Sequence, residues 1–365
     1  MPINTEHAEY IKFKVKWKRC RDVAAGSDAV HAAGEAYLPK LKEQSTQDYN
    51  AYNQRATFYN ATWRTIAGLT GMLFRQPPKI EVPTTVAELL RDMDGAGQPV
   101  QVLLQDVCEQ ALTVGRVAVL VDARPVIKLP GMKVATLADA RTQGVQPQMQ
   151  VYYTESVINW RTGKIAGKTV LTQAVLKETE QVAKDPPDEF EVKEEDRWRV
   201  LDLFEGRYRQ RVFRRKSGVQ VPGVASDFEQ VGEDIFPLLA GKLLGYIPLT
   251  IMGTDDVGTE VDDPPLIDLV DMNLSHYRTS ADYAHGCHFT ALPTLFLAGF
   301  KVDNPGDKIY IGSAAAIVAP NADARATFVE FSGAGLTALE RKLTREEQAM
   351  AVLGARMLEP QQRQV

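Results

Sequence analysis

The chain has 365 residues, of which 44% are hydrophobic and 24% are charged. This ordinary globular composition excludes collagen-like, mucin-like and wholly disordered chains. The 42 basic and 47 acidic side chains give a net charge of −5, whereas proteins that hold DNA tightly as single copies usually carry a basic excess.

Cysteine content and hydropathy exclude further classes of protein. Three widely spaced cysteines, Cys20, Cys108 and Cys287, predict neither a disulfide framework nor a four-thiolate metal site. No stretch of about 18 apolar residues predicts a membrane span, and the first residues lack the apolar core of a signal peptide. We therefore expect a soluble protein made inside the cell.

The N-terminal arm, residues 1–45, begins with a basic, amphipathic segment at residues 11–19. Phe13, Val15 and Trp17 alternate with lysines, which predicts a strand with one apolar face, although Lys and Arg also favour a helix. A basic arm that contacts DNA is one interpretation. A solvated face that packs its aromatic side chains is the favoured one.

A long helix is predicted next. Ser45 is a suitable N-cap, large side chains recur every three or four residues from Tyr49 to Leu73, and Pro77-Pro78 ends the pattern. About 30 helical residues would span roughly 45 Å. The broad aromatic stripe indicates buried packing rather than a ligand cage. A second helix is predicted over residues 100–113, ending at Gly115.

Strand-like segments dominate the following region, beginning with the apolar run at residues 117–121. Further strands are predicted at residues 149–153, 169–176, 197–204, 208–213 and 249–252. Polar turns are predicted at residues 161–163 and 184–187. Because no helical pattern separates these strands, we expect antiparallel pairing and an α+β class for residues 46–264.

Five carboxylates lie within residues 255–263. Asp262 and Asp263 are weak candidates for a Ca²⁺ or Mg²⁺ site, because the spacing matches no EF-hand loop. The favoured interpretation is a helix N-cap at Asp262 or Asp263, with Pro264-Pro265 in the first turn.

A helix is then predicted from Pro265 to about Thr290. Its mixed apolar and polar sides indicate a helix that packs against copies of itself and leaves one face in water. His285 and His288 lie one turn apart beside Cys287, which is a weak zinc signal. Nine residues separate His276 from His285 and place His276 on the opposite side of a straight helix, so packed or interfacial histidines are favoured.

A β-containing insert and a last helix complete the pattern. Strands are predicted at residues 294–297, 308–311 and 327–331, and the last helix follows Gly335. Thr344-Arg-Glu-Glu347 matches a capping box, which predicts a break or restart in that helix.

The sequence lacks the common catalytic motifs. It contains no Gly-Lys-Ser/Thr phosphate loop, no dinucleotide-binding glycine fingerprint, no G-x-S-x-G, no H-E-x-x-H and no C-x-x-C. Arg207, Arg209 and Arg211 alternate along one strand, where a solvent-exposed sheet face is favoured over nucleic-acid readout. We therefore expect no enzymatic activity, no catalytic residues and no cofactor.

Several stretches in a fixed order carry a resemblance to a known family. They are Trp17…Arg21-Asp22…Gly26, Tyr37-Leu38-Pro39, Tyr52-x-x-Arg55-Ala56-x-Phe58-Tyr59-Asn60, Arg64-Thr65-Ile66-x-Gly68-Leu69-x-Gly71-Met72-Leu73-Phe74-Arg75-x-Pro77-Pro78, Glu155-Ser-Val-Ile-Asn-Trp160, Pro264-Pro265-Leu266-x-Asp268-Leu269 and Ala351-Val-Leu-Gly354-Ala-Arg-Met357-Leu358. Together they cover nearly the whole chain. In this order the sequence resembles tailed-bacteriophage portal proteins, in a branch often described only as a domain of unknown function.

The resemblance implies a ring, usually of twelve copies, at one vertex of the capsid, with double-stranded DNA passing through its channel. The implied partners are the terminase large subunit, the head–tail adaptor, and the major capsid and scaffolding proteins, with no membrane. The implied location is the virion, and the host cytoplasm during assembly. Such a ring nucleates head assembly, docks the ATP-driven terminase and later gates genome exit.

The implied domains follow the predicted elements. Residues 46–264 would form the wing, 265–291 and 333–358 two long stem helices, and 292–332 the small β-containing clip. Residues 359–365 would begin the tunnel-loop and crown region, and we expect the C-terminal crown to be absent from this sequence.

The resemblance also implies roles for individual residues. Lys342 and Arg345 would be candidates to face DNA in the channel, and their alternative role is pairing with Glu340, Glu346 or a neighbouring subunit. The clip candidates for docking are Lys301, Asp303, Asp307 and Lys308. The candidates for subunit packing on the stem are Leu266, Val270, Tyr277, Leu339, Leu343 and Met350.

Charge is consistent with a conduit, and two other functions stay open. Twelve copies at −5 each would carry −60, and walls of like charge keep affinity for DNA low. The first alternative is another virion ring or head-completion protein, such as a head–tail adaptor. The second is a metal-dependent nucleic-acid enzyme that uses the carboxylates of residues 255–263 or the histidines between His276 and His288.

Overall fold

The chain adopts a mixed α+β fold in a computed structural model, which confirms the expected class. The structure describes residues 2–123, 147–183, 190–216, 227–239, 241–290, 294–299, 323–329 and 334–354. These residues form two compact units. Unit 1 contains the described residues of Met1–Ala25, Ala61–Val270 and Leu353–Val365, and unit 2 contains those of Gly26–Asn60 and Asp271–Val352. The predicted wing, stem and clip boundaries stay predictions.

The elements follow in chain order. The helices are α1 (Ala8–Ala25), α2 (Ser27–Ala33), α3 (Thr46–Arg55), α4 (Ala61–Leu73), α5 (Thr84–Ala87), α6 (Val100–Val114), α7 (Ile267–Thr290) and α8 (Ala334–Gly354). The strands are β1 (Val117–Ala123), β2 (Pro147–Tyr153), β3 (Val157–Ile165), β4 (Lys168–Ala183), β5 (Val192–Phe204), β6 (Arg207–Arg215), β7 (Phe228–Ile235), β8 (Leu238–Leu239), β9 (Lys242–Leu243), β10 (Leu249–Met252), β11 (Thr294–Ala298) and β12 (Arg325–Val329). Among the described helices, none is long and apolar enough to cross a membrane.

The basic segment near the N-terminus is helix α1, so the predicted strand is wrong and the helical alternative is confirmed. Tyr10, Phe13, Trp17 and Cys20 are buried along this helix, with the three- and four-residue spacing of one helical face. Val15, which the strand would have placed beside them, is 71% exposed. The lysines of the segment pair with carboxylates on the solvent side, in line with the solvated-face interpretation.

The predicted 30-residue helix is two helices, α3 and α4, separated by residues 56–60. The polar backbone groups of this interruption bond to α7 instead of continuing a helix. The amide of Thr57 donates to Ser280 Oγ at 3.1 Å, and the carbonyl of Tyr59 accepts from Asn273 Nδ2 at 2.7 Å. Thr, Phe, Tyr and Asn are also weak helix formers, so tertiary partners decide the conformation here.

Unit 1 contains a three-stranded antiparallel sheet in the order β10-β1-β2. Helix α6 leads directly into β1, and both confirm the sequence predictions. Gly115 ends α6 in the left-handed conformation, with φ of 78°, and its amide donates to the carbonyl of Ala111 at 2.9 Å. Gly115 thereby turns the chain from the helix into the buried strand.

Replacing Gly115 with alanine should lower the free energy of unfolding by about 1 kcal/mol, because the left-handed backbone disfavours a Cβ. The new Cβ would also lie 3.3 Å from both the carbonyl oxygen of Asp263 and Cα of Pro264. Gly206→Ala is the matched control, since its φ is 75° but nothing lies within 4 Å of its Cβ position. Chemical denaturation of both variants measures the effect, and equal losses would show that the close contact adds nothing.

A second sheet of unit 1 has five strands in the order β3-β4-β5-β6-β7, each antiparallel to its neighbour. The predicted strands at 169–176, 197–204 and 208–213 are confirmed within it. The predicted turn at residues 161–163 is wrong, because these residues belong to β3 and the turn lies at Ala166–Gly167. A side chain at Gly163 would bring its Cβ within 2.9 Å of Thr172 Cγ2, so this glycine permits close strand pairing. The predicted turn at residues 184–187 lies outside the described residues.

Two of the three alternating arginines of β6, Arg209 and Arg211, are paired with carboxylates. Arg209 donates to Asp202 and Asp234, each at 2.9 Å. Arg211 donates to Asp202 at 2.5 Å. Of these three arginines, Arg207 is the exposed one, so the favoured interpretation of a solvent-exposed face applies to Arg207 alone.

Unit 2 combines the helices α2 and α3, most of α7 and α8, and the antiparallel pair β11–β12. The predicted N-cap of α3 is confirmed, since Ser45 Oγ accepts from the amide of Asp48 at 3.0 Å. Strand β11 confirms the prediction at residues 294–297, and β12 begins two residues before the predicted strand at 327–331. The predicted strand at residues 308–311 lies outside the described residues.

The start of α7 and the interior of α8 differ from prediction. Helix α7 begins at Ile267, whose amide bonds to the carbonyl of Pro264, while the exposed carboxylate of Asp263 pairs with Lys16 rather than capping the helix. Helix α8 is continuous through Thr344, whose hydroxyl donates to the carbonyl of Glu340 at 3.1 Å. The capping-box pattern therefore marks no break.

Candidate functional site

Helix α7 makes several side-chain hydrogen bonds within its own chain, which explain its mixed polarity. Its buried polar side chains include Asn273, His276, Thr279 and Ser280. Tyr277 is fully buried, and its hydroxyl donates to Asn53 Oδ1 at 2.6 Å. Burial raises the pKa of Tyr277 to about 12. The expectation that this helix packs mainly against copies of itself is therefore corrected for its polar side.

Further bonds fix α7 against the first segment of unit 2. The hydroxyl of Tyr52 donates to Asp282 Oδ1 at 2.6 Å, and Arg278 Nε donates to the carbonyl of Tyr37 at 2.7 Å. Burial, followed by the bond to Asp282, raises the pKa of Tyr52 above its usual range. Both contacts hold polar side chains of a long helix in single positions.

Helices α7 and α8 run antiparallel along a polar seam. Ser275 Oγ donates to Glu346 Oε1 at 2.6 Å, and four residues further along α7 the Lys342 ammonium donates to Thr279 Oγ1 at 2.8 Å. The residue numbers of the partners on α8 thus decrease as those on α7 increase, as expected for antiparallel helices. Farther along, a Cβ on Gly286 would lie 2.7 Å from Leu336 Cδ2. The absence of a side chain at Gly286 allows the two helices to approach closely.

The two channel candidates occupy different environments. Lys342 is 56% exposed but bonds to Thr279 and lies 3.6 Å from Glu346 Oε1, which matches the alternative expectation of pairing with Glu346. Arg345 is exposed. Of the two cations, Arg345 is the one whose side chain makes no hydrogen bond or ion pair with another described residue.

The packing candidates divide by burial. Val270, Tyr277 and Met350 are buried within the chain, so they already belong to its own core. Leu266, Leu339 and Leu343 are partly exposed and keep surface that a neighbouring copy could cover. The clip candidates Lys301, Asp303, Asp307 and Lys308 lie outside the described residues.

The histidines of α7 pack with aromatic and acidic neighbours. His276 is buried with Nε2 3.4 Å from Glu347 Oε1, and the ring of His285 meets Tyr52 edge-on at 5.2 Å. His288 is exposed beside Phe289. The thiol of Cys287 bonds to the hydroxyl of Tyr283 and raises the pKa of Tyr283.

The weak metal candidates are not brought together. Asp262 and Asp263 are exposed, and the carboxylate of Asp263 pairs with Lys16. Within the part of the chain that the structure describes, no group of three His, Cys, Asp or Glu side chains is placed to hold a metal ion. The described residues therefore assemble no ligand set for the metal-dependent alternative.

An exposed apolar hairpin was missed by the sequence reasoning. We name it the β8–β9 patch, and its large exposed side chains are Ile235, Phe236, Leu238, Leu239, Leu243 and Tyr246. Leu238 and Leu239 are 61% and 62% exposed. Soluble monomers rarely expose large contiguous apolar patches, which usually mark contacts with other macromolecules. The repeated leucine pairs around Gly241 were the available signal.

A buried, unpartnered arginine was also missed. Arg116 is 2% exposed, and its three guanidinium nitrogens find no acceptor among the described residues. Its guanidinium carbon lies 3.9 Å from the ring centre of Trp160, whose ring also stacks on His7 at 4.1 Å. Burial lowers the pKa of Arg116 to about 10, and nothing in a sequence distinguishes such an arginine from one on the surface.

Comparison with known proteins adds one finding at this site. A family model described as "Domain of unknown function (DUF4055)" matches residues 265–365. The described residues of this matched region contain α7, the β11–β12 pair and α8. No curated protein matches the sequence.

Proposed function

We propose that this chain is a bacteriophage portal protein. In this proposal, identical copies form a ring at one capsid vertex, and double-stranded DNA passes through the central channel during packaging and ejection. The ring docks the terminase large subunit and then the head–tail adaptor. The chain supplies no catalytic residue, because the packaging ATPase resides in the terminase partner.

One observation carries the proposal: two long antiparallel helices, α7 and α8, flank a chain segment that contains an antiparallel β pair. The portal resemblance implies this order of stem helix, clip and stem helix. The bonds from Ser275 to Glu346 and from Lys342 to Thr279 hold the helices side by side. The match to a family of unknown function covers the same elements.

Exposed apolar side chains support an assembling protein. The β8–β9 patch would be covered in an assembly, because leaving it in water forgoes roughly 25 cal/mol for each Å² of apolar surface. On the stem, Leu339 and Leu343 offer further surface for a neighbouring copy. Arg345 is the preferred candidate for transient contact with DNA phosphates, since Lys342 is engaged by Thr279.

Purified protein should form rings with a central hole, of about 485 kDa for twelve 40.4 kDa chains. Mass photometry gives the mass, and negative-stain imaging gives the symmetry. The rings should bind a terminase large subunit, which distinguishes a portal from an adaptor ring. A compact monomer, or a two-fold dimer without a hole, would contradict the proposal.

A further inference from the structure

A groove lies on one face of the five-stranded sheet, where the N-terminal residues cross β3. Its volume is about 350 Å³. The apolar residues that line it include Val175, Val200 and Phe213 from the sheet, and the polar ones include Asn159, Gln173, Arg161 and Arg211. Asn159 Nδ2 donates to the carbonyl of Thr5 at 2.7 Å, which fixes the N-terminal rim against the sheet.

The groove carries one uncompensated cation. Arg211 is neutralised by Asp202 at 2.5 Å. Arg161 is exposed, and no ion pair joins its side chain to the described part of the chain. An apolar floor beside a free guanidinium favours an occupant that presents both an apolar side chain and a carboxylate.

An arm projects from the same sheet. Strands β4 and β5 stay paired from Lys177–Trp198 to Ala183–Val192, whereas the pairing of β4 with β3 ends at Leu176. We name the described residues 177–183 and 190–196 the β4–β5 arm. It is a two-stranded ribbon beyond the edge of β3, and such ribbons gain stability from a partner surface.

The arm has the complementary surface chemistry. It contains six acidic and two basic side chains, and Phe190 and Val192 are 88% and 60% exposed. Four of its carboxylates are paired, namely Glu178, Glu180, Glu195 and Asp196. Glu194 is exposed, and no ion pair engages it among the described residues. Glu194 and Val192 are two positions apart on one strand and therefore share a face.

We propose that the β4–β5 arm of one copy docks in the groove of a neighbouring copy. Glu194 pairs with Arg161, while Phe190 and Val192 cover the apolar floor formed by Val175 and Phe213. The arm cannot fill the groove of its own chain, because β4 and β5 supply both the arm and part of the floor. The occupant is therefore a second copy.

This contact joins two different surfaces, so it is a head-to-tail interface that closes into a ring or continues as a filament. The inference rests on the proposed function, since it identifies how neighbouring portal subunits would hold one another. The pairing of Arg161 with Glu194 of a neighbouring copy can be tested apart from ring closure.

Charge reversal tests the contact with the full-length protein. Arg161→Glu and Glu194→Arg each place like charges in the interface, which should raise the concentration at half-assembly by about tenfold or more. The double variant restores an ion pair of opposite polarity and should assemble as the wild type does. Lys164→Glu is the control, since Lys164 is exposed on β3 and does not line the groove. Mass photometry over a concentration series measures each assembled fraction.

An equimolar mixture of the two single variants gives a second test. In this mixture the substituted arm of the Glu194→Arg variant meets the substituted groove of the Arg161→Glu variant, so opposite charges face each other. The native arm of the Arg161→Glu variant likewise meets the native groove of the Glu194→Arg variant. The mixture should therefore assemble at concentrations at which neither variant does so alone. Rescue of this kind excludes misfolding as the cause of the single-variant loss.

The outcomes separate this inference from the proposed function. Rings that persist in both single variants would overturn the docking contact and leave the portal proposal standing. If the protein forms open filaments and no closed rings, and charge reversal and mixing change filament assembly as predicted, the contact would be supported and the portal proposal contradicted. A small anionic molecule retained by the wild type and lost in Arg161→Glu, seen by native mass spectrometry, would overturn the arm as occupant.

Discussion

Replacing Trp17 with alanine should lower the free energy of unfolding by about 3–5 kcal/mol. The indole is fully buried, with the ring of Tyr10 edge-on at 5.6 Å and the ring of Phe13 stacked at 6.1 Å. Removing it leaves a large cavity on the buried face of α1, because the neighbouring aromatic rings cannot collapse fully into the space. Chemical denaturation followed by circular dichroism measures the loss.

Trp63→Ala is the matched control, because it makes the same chemical change at a side chain that is 42% exposed. It should cost clearly less than Trp17→Ala. Equal losses in the two variants would contradict the assignment of Trp17 to the core and would favour a strand-like, peripheral N-terminal arm.

Replacing Arg116 with methionine should raise the free energy of unfolding by about 2 kcal/mol at neutral pH. Burial lowers the pKa of Arg116 from its ordinary value to about 10, which corresponds to about 3 kcal/mol against the charged form. The contact between the guanidinium and the ring of Trp160 offsets about 1–2 kcal/mol of this burial cost. Exchange of a buried charge for an apolar side chain of similar volume is often stabilising.

The sign of the pH dependence follows from the lowered pKa. The unfolded chain binds the proton more tightly than the folded one, so stability rises with pH above about 10. At neutral pH Arg116 is charged in both states, and its full cost is present. The advantage of Arg116→Met should therefore be constant near neutrality and shrink above about pH 10.

Arg116→Lys is the control for volume and charge, since it keeps the buried cation. It should bring no gain, because an ammonium is more strongly hydrated than a guanidinium. A loss of several kcal/mol in Arg116→Met would contradict the prediction. It would show that the native protein provides the guanidinium with an anionic partner.

The sequence predicted the elements whose signals are local. Strand-like apolar segments identified β1, β2 and β10 and the central strands β4, β5 and β6, whereas β3 and β7 were not predicted. Gly115 marked the end of α6 because a left-handed C-cap favours glycine. The order of helix, β segment and helix in the last hundred residues was also readable, since capping, periodicity and turn residues all act within a few positions.

The failures arose where distant residues decide the structure. Phe13, Val15 and Trp17 alternate as in a strand, yet burial of Phe13 and Trp17 without Val15 follows from packing of α1 as a helix. The interruption between α3 and α4 depends on Ser280 and Asn273, more than 200 positions away. Local propensity cannot report such partners, because tertiary contacts override it.

The candidate sites show the same limit. The apolar hairpin and the acidic arm are visible as composition, but the sequence does not show which side chains are already paired. Arg161 and Arg211 look alike in the sequence, and only the structure shows that Asp202 neutralises Arg211. Arg161 and Glu194 each lack an ion-pair partner among the described residues, and only the folded structure shows this.

The discontinuity of unit 2 has a consequence for synthesis. Tyr52 and its partner Asp282 are 230 positions apart, so at about 5–20 residues per second the ribosome needs roughly 10–45 seconds to supply α7 after α3 has emerged. During that interval Tyr52 and Asn53 of α3 lack their partners Asp282 and Tyr277 on α7. In the nascent chain α3 therefore stays exposed and prone to non-native association until α7 is translated. Conditions that slow elongation should increase the need of this chain for chaperones.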